Sequence, residues 1–245
     1  MTRFYPIQYH TLLNRLTKRV SQRDNAKIVF MAAGNIDALN DAFQMIIYRF
    51  YILGYSVYTN VPFMKCSGVY QVTKASQLFI NTKEMPSILN HKHSVLILRK
   101  HESDPGFAMN EERRNELYFN RVSRHFRFSI IMGYNSKKEM PQYVNHLADV
   151  LIEIEPTNNR YVVKWAILSQ YEELDHRYIL SPFYGPPVST TSFYQQRVDF
   201  EFDFDARDLA VIFSRAKTLT EVQPLISDYF KKLKQSKDDE DVNNI

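Results

Sequence analysis

The chain has 245 residues, 44% hydrophobic and 24% charged, which suits one sizeable α/β domain of ordinary water-soluble composition. A net charge of +4 permits contact with nucleic acid without requiring it, and a single cysteine, Cys66, excludes an internal disulfide framework. The longest apolar run, over 43–55, is broken by Gln44 and Arg49 and falls short of the roughly 20 residues of a bilayer span, so no membrane span is predicted.

Taken in chain order, residues 7–22 read as a basic amphipathic helix. Leu12, Leu13, Leu16 and Val20 fall on one side, with Arg15, Lys18, Arg19 and Arg23 near the other. Such a helix either caps the domain or reaches to DNA or a partner. Residues 27–33 form a short apolar strand that ends at Gly34. Residues 37–53 follow as a helix apolar nearly all round, hence buried, with Gly54 suited to its C-terminal cap. Strands are predicted at 56–60 (SVYTN) and 77–81 (QLFIN), and a continuous apolar strand at 94–98 (SVLIL), the pattern of a sheet covered on both faces. A charged helix spans 109–125. A buried strand lies at 128–132 (FSIIM), a short helix at 141–148 and a further strand at 150–155 (VLIEIE).

This alternation predicts an α/β fold, a mostly parallel sheet with helices on both faces. Beyond it, 161–168 reads as a strand crossing back, and 181–192 is turn-rich. The stretch RVDFEFDFD alternates strictly, with Val198, Phe200, Phe202 and Phe204 on one face and Asp199, Glu201, Asp203 and Asp205 on the other. Residues 209–233 are mostly helical with a break near Pro224. The expected organisation is a basic N-terminal helix (1–23), an α/β core (24–180), a C-terminal strand and helix appendage (181–233) and a disordered acidic tail (234–245).

The stretch KIVFMAAGNIDALNDAF, residues 27–43, has the strand, glycine and helix layout of a phosphate-binding loop. The element order over 27–180 resembles the additional-strand P-loop ATPases, in particular the FtsK/HerA-like DNA-pumping group. That group includes viral packaging ATPases and proteins related to zonula occludens toxin. The resemblance is carried by four features: this opening unit, a strand ending YTNVPF, the strand SVLIL at the Walker B position, and the segment SRHFRFSIIMGYNSKKEMPQYVNHLADVLIEIEP.

The resemblance implies a P-loop NTPase-like core, and against it the catalytic positions are degenerate. A working loop needs glycines to wrap the phosphates, a lysine for the β/γ-phosphates and a hydroxyl for Mg²⁺. Here Gly34 and Asn35 are followed by Asp37 in place of the last loop glycine, Ala38 at the lysine and Leu39 at the hydroxyl. The Walker B strand runs into Arg99 and Lys100 rather than two acids, and two cations cannot hold Mg²⁺. Gly133 and Tyr134 stand where the sensor strand would end in a polar residue.

Other constellations read more plainly. His91, His93 and His101 lack acidic or thiol partners at ligand spacing, and Cys66 has no catalytic context. The acidic ribbon 199–205 reads as a solvated face, or as a dock for a basic partner. On the charged helix, Arg113, Arg114, Arg121 and Arg124 lie among Glu111, Glu112 and Glu116, the pattern of helical ion pairing. Arg99, Lys100, Lys137 and Lys138 all fall at the carboxyl edge of the sheet, where ligands of open α/β folds bind. Together with Arg121 and Arg124 they are the candidate nucleic-acid contacts.

The resulting expectation is a catalytically inactive P-loop ATPase-like protein. It would be a structural, regulatory or DNA-binding component of a viral or plasmid DNA-translocation or assembly system. Expected partners are DNA, an active ATPase or further copies of itself. No cofactor and no metal are implied, and the compartment is the cytoplasm, the host's if the protein is viral. Two alternatives stay open: an active nucleotide-dependent enzyme using Asn35, Asp37 or Asn40 in a non-standard loop, and an α/β interaction module with no nucleic-acid role.

Overall fold

The structure, a computed structural model, describes residues 5–7, 28–33, 36–90, 93–100, 111–126, 128–141, 147–157, 160–169, 172–180, 199–216 and 218–243. The core strands are β2 (Ile28–Ala33), β3 (Ser56–Thr59), β4 (Val69–Gln71), β5 (Ser94–Arg99), β6 (Ser129–Tyr134) and β7 (Val150–Thr157). With β1 (Tyr5–Ile7), β8 (Arg160–Ser169) and β9 (Glu172–Leu180) they make one sheet in the order β1-β9-β8-β7-β2-β6-β5-β3-β4. The six strands from β7 to β4 are parallel throughout. β8 pairs antiparallel with both β7 and β9, and β1 returns parallel to β9. This is an α/β fold with a P-loop NTPase-like strand order, in which the additional strand β6 lies between β2 and β5.

Handedness places the helices. Helix α1 (Ile36–Ile52) connects β2 to β3 across two strands in one direction, and α2 (Glu111–His125) connects β5 to β6 in the other. Right-handed crossovers therefore put them on opposite faces. The burial agrees. Leu39, Phe43, Ile46 and Phe50 of α1 pack with Val29, Met31, Ile97 and Ile131. Phe119 and Val122 of α2 pack on the other face with Phe30, Leu96, Leu98 and Met132. Helices α3 (Ala206–Arg215) and α4 (Leu219–Asn243) add Leu209, Ile226 and Phe230 to that second cluster.

Several expectations need correction. Helix α1 is not buried all round: Tyr48, Tyr51 and Ile52 are exposed at its outer, C-terminal end, as is Leu53 just beyond it. The segment at 77–81 is no strand but part of a 3₁₀ turn, Ala75–Phe79. There the Gln77 side chain accepts from the Thr73 and Lys74 amides, and adjacent Leu78 and Phe79 are both buried, which an alternating strand would not allow. The helical break falls at 216–218 rather than at Pro224, which lies inside α4 and forfeits one helical hydrogen bond. The backbone stays helical to Asn243, through most of the stretch expected to be a disordered tail. A helix already nucleated against the core gains one hydrogen bond for each residue added, which carries it through this mixed polar stretch. A 3₁₀ turn at Lys137–Glu139 was not foreseen.

The expected basic helix at 7–22 lies outside the described residues apart from Ile7, which ends β1. The turn-rich 181–192 and most of the short helix at 141–148 are likewise outside them. Among the described residues, no helix is long and apolar enough to cross a membrane.

Candidate functional site

Parallel strands all end on the same edge, so β2, β3, β5 and β6 deliver their last residues to one place. Gly34 and Asn35, the centre of the candidate phosphate loop, lie outside the described residues. Asp37 and Ala38 are in the first turn of α1. Leu39, where the resemblance expects the hydroxyl, is fully buried.

Leu39 meets Gly133, the expected sensor position. A methyl group added to Gly133 would lie 2.8 Å from Leu39 Cδ1 and 2.3 Å from Phe43 Cζ. Two side chains of α1 thus rest directly on the β6 backbone, and Gly133 is needed because nothing larger fits beneath them. Tyr134, the next residue, points to the other face and stacks on Phe30.

At the end of β5, Asn60 extends the sheet with its side chain. Its Oδ1 accepts from the Arg99 amide at 2.8 Å, and its Nδ2 donates to the Arg99 carbonyl at 2.8 Å. A primary amide reproduces the donor–acceptor pair of a peptide, which is why asparagine ends the YTN strand here. The Arg99 side chain turns towards α1 and donates from Nη1 to Asn40 Oδ1 at 2.6 Å. Arg99 is 5% exposed and Asn40 2%.

Lys100 points to the opposite face. Its Nζ lies 3.1 Å from Glu116 Oε2 of α2 and 5.1 Å from the centre of the Phe202 ring. The second Glu116 oxygen accepts from the Tyr134 hydroxyl at 2.6 Å. This lysine is 6% exposed and Glu116 3%. Arg99 and Lys100 therefore do not form an open basic rim. Desolvated charges are tolerated only with partners, and each has an internal one.

The remaining candidate contacts separate. Arg121 and Lys138 are exposed, and Lys138 lies at the carboxyl edge, in the 3₁₀ turn after β6. Lys137 begins the same turn. Arg124 is at the far end of α2 and reaches the opposite edge. There it donates to the Leu147 carbonyl and to Asp149, whose carboxylate also accepts from the first amide of β2. The structure thus divides these residues between the two edges of the sheet.

The acidic ribbon is not simply a solvated face. Phe200 and Phe204 are buried and Phe202 packs on Phe119, so the alternation is real, but the backbone forms a single bridge, Lys74 to Glu201, rather than a strand. Two of the four acids serve as caps. Asp203 accepts from the Ser76 amide and hydroxyl, and Asp205 accepts from the Arg207 amide at the start of α3. The Arg207 hydrogen bonds hold the Asp205 carboxyl below the usual carboxylate range, against the opposing effect of burial. Glu201 pairs with Lys74 at the surface. Burial pushes the Cys66 thiol up, away from a reactive thiolate. His91 and His101 lie outside the described residues, and His93 packs against Tyr55. Among the described residues no cluster of His, Cys, Asp and Glu could hold a metal.

Sequence reasoning missed the pairing of Glu116 with Lys100 and Tyr134, and that of Asn40 with Arg99. A buried acid on a charged helix was the available signal for the first. It was hidden because α2 carries other glutamates that suit helical pairing.

No family model and no curated protein matches the chain. It is similar to the N-terminal domain of zonular occludens toxin from Neisseria meningitidis, at 16% identity and TM-score 0.39, over 63% of this chain and 94% of that one. It is also similar to the flagellar accessory protein FlaH from Methanocaldococcus jannaschii, at 12% identity and TM-score 0.39, over 63% and 84%. A third likeness is to the genome packaging NTPase B204 of Sulfolobus turreted icosahedral virus 2, at 10% identity and TM-score 0.36, over 63% and 98%.

Proposed function

We propose that this chain is a non-hydrolysing P-loop ATPase-like protein that acts as a structural or regulatory component of a DNA-translocation or assembly system. The observation that carries the reading is how the catalytic positions are used. Leu39 and Phe43 are packed onto Gly133, while Arg99 is bonded to Asn40 and Lys100 to Glu116. Magnesium needs oxygen ligands held near ideal octahedral geometry. At these strand and helix ends stand a buried leucine and two buried cations, so the residues present do not fit a magnesium nucleotide. The enzymatic alternative is weakened at one of its three named groups, because Asn40 is buried and its amide is turned to Arg99.

The DNA-handling part of the reading rests on the layout resemblance in the sequence. Arg121, Arg124 and Lys138 are exposed candidate contacts, whereas Arg99 and Lys100 serve the interior.

Calorimetric titration with ATP, with and without Mg²⁺, is expected to give no binding heat. Saturable Mg²⁺-dependent binding accompanied by release of inorganic phosphate would overturn the non-hydrolysing reading. A salt-dependent DNA titration tests the second part. Binding that weakens with salt, and weakens further in an Arg121→Glu, Lys138→Glu chain, is expected; no binding at low salt removes the DNA role.

A further inference from the structure

We propose that Arg99 is a built-in cationic brace between β5 and α1, replacing the divalent metal that an active site of this fold would hold at that junction. The proposal rests on the non-hydrolysing reading above. In P-loop enzymes the metal is held by a hydroxyl at the start of the helix and a carboxylate at the strand end, so it ties helix to strand. Here those two positions are Leu39 and Arg99. The Arg99 guanidinium crosses the junction itself and donates to Asn40, the residue after Leu39, at 2.6 Å.

Three observations favour a brace over an incidental contact. Both ends are buried, where a charge-assisted hydrogen bond is strongest and the desolvated cation costs most if left unpaired. The Arg99 backbone is clamped by two bonds to Asn60, which fixes the root of the side chain. Apolar side chains of α1 already fill the space above Gly133 nearby, so apolar packing gives no reason to bury a guanidinium there. A tethered cation then does permanently what a ligand-borne ion does conditionally, and the seating of α1 becomes independent of nucleotide.

The test is amide hydrogen exchange of the full chain, without nucleotide. Asn40→Ala is expected to speed exchange across 36–43 by about tenfold, the scale of one charge-assisted hydrogen bond, while 129–134 stays protected. Asn40→Asp converts the bond to an ion pair and is expected to slow exchange in the same segment. In a Leu39→Ser, Arg99→Asp chain, which restores both the hydroxyl and the carboxylate, exchange across 36–43 rises and is brought back by millimolar Mg²⁺ or Mn²⁺, which leaves wild type and Arg99→Met unaffected.

Unchanged exchange in Asn40→Ala, or faster exchange in Asn40→Asp, overturns the brace. A Leu39→Ser, Arg99→Asp chain that stays loosened or unfolded at every metal concentration overturns the replacement of the metal. Nucleotide hydrolysis by wild type would instead overturn the non-hydrolysing reading, so the failures are distinguishable.

Discussion

At the scale of single residues, the C-terminal edge shows how a few side chains decide what a site can do. Gly133 is held to glycine by the α1 side chains above it. Gly133→Ala is expected to cost about 1–3 kcal/mol in urea denaturation, as overpacking does, and Phe43→Leu in the same chain should restore part of the loss. Lys100 and Glu116 form a buried pair whose halves are not separable. Lys100→Met, which leaves the glutamate without its lysine, is expected to cost about 3–5 kcal/mol. Lys100→Met with Glu116→Gln should recover much of that, because the glutamine oxygen still accepts from Tyr134. Equal losses in the single and double variants would show that the ion pair is not the source of the stability. Little of this was legible in the sequence. Arg99 and Lys100 stood out as wrong for catalysis, but the Asn40 partner is 59 residues away, and only the seating of α1 brings it near.

At the scale of elements, local chemistry accounts for most boundaries. Helix α1 ends in a Schellman motif, with the Gly54 amide donating to the Tyr51 carbonyl and the Tyr55 amide to that of Phe50. Gly54 has φ +77°, and the Phe50 and Tyr55 rings meet edge to face at 5.1 Å across the turn. Helix α3 starts at Asp205, whose side chain is both N-cap and partner of Arg207. Asp205→Ala is expected to cost about 1 kcal/mol, and Asp205→Asn distinctly less, since asparagine caps as well as aspartate. The depressed carboxyl fixes the sign of the pH dependence. Its contribution is present above the ordinary carboxylate value of 3.8 and is lost as pH falls through the lower folded value. Acid titration of stability in wild type and Asp205→Asn should therefore converge at the acid end; a constant gap down to pH about 2 would contradict the linkage.

At the scale of the molecule, the C-terminal region completes the core. Phe79 stacks on Phe230 at 5.5 Å and meets Phe204 edge to face, so residues from α4 and the acidic ribbon close the face that α2 begins. Each such ring buried is worth about 1.5–3 kcal/mol. The chain is therefore expected to unfold in one cooperative transition, with circular dichroism and the fluorescence of Trp165, the sole tryptophan, giving coincident midpoints in urea. A chain ending at residue 198 should fail to fold cooperatively. Separated midpoints, or a stable truncated chain, would show that residues 199–243 are an independent addition.

Much of the fold was readable because it is written in local pattern. The continuous apolar runs SVLIL and FSIIM became β5 and β6, buried along their whole length. The alternation of strand and helix required a parallel sheet, and the absence of lysine and hydroxyl from AAGNIDAL required no structure to see. What tertiary structure alone decided was the use of the polar residues. Two of the alternating acids became caps, the two cations turned inward to partners on opposite faces, and the basic residues divided between two edges. The physical reason is the range of the forces involved. Burial pattern repeats along the chain with the period of its own element, whereas a hydrogen bond or ion pair is made across a few ångströms of space. Its partner is known only when the crossovers have placed one helix on each face.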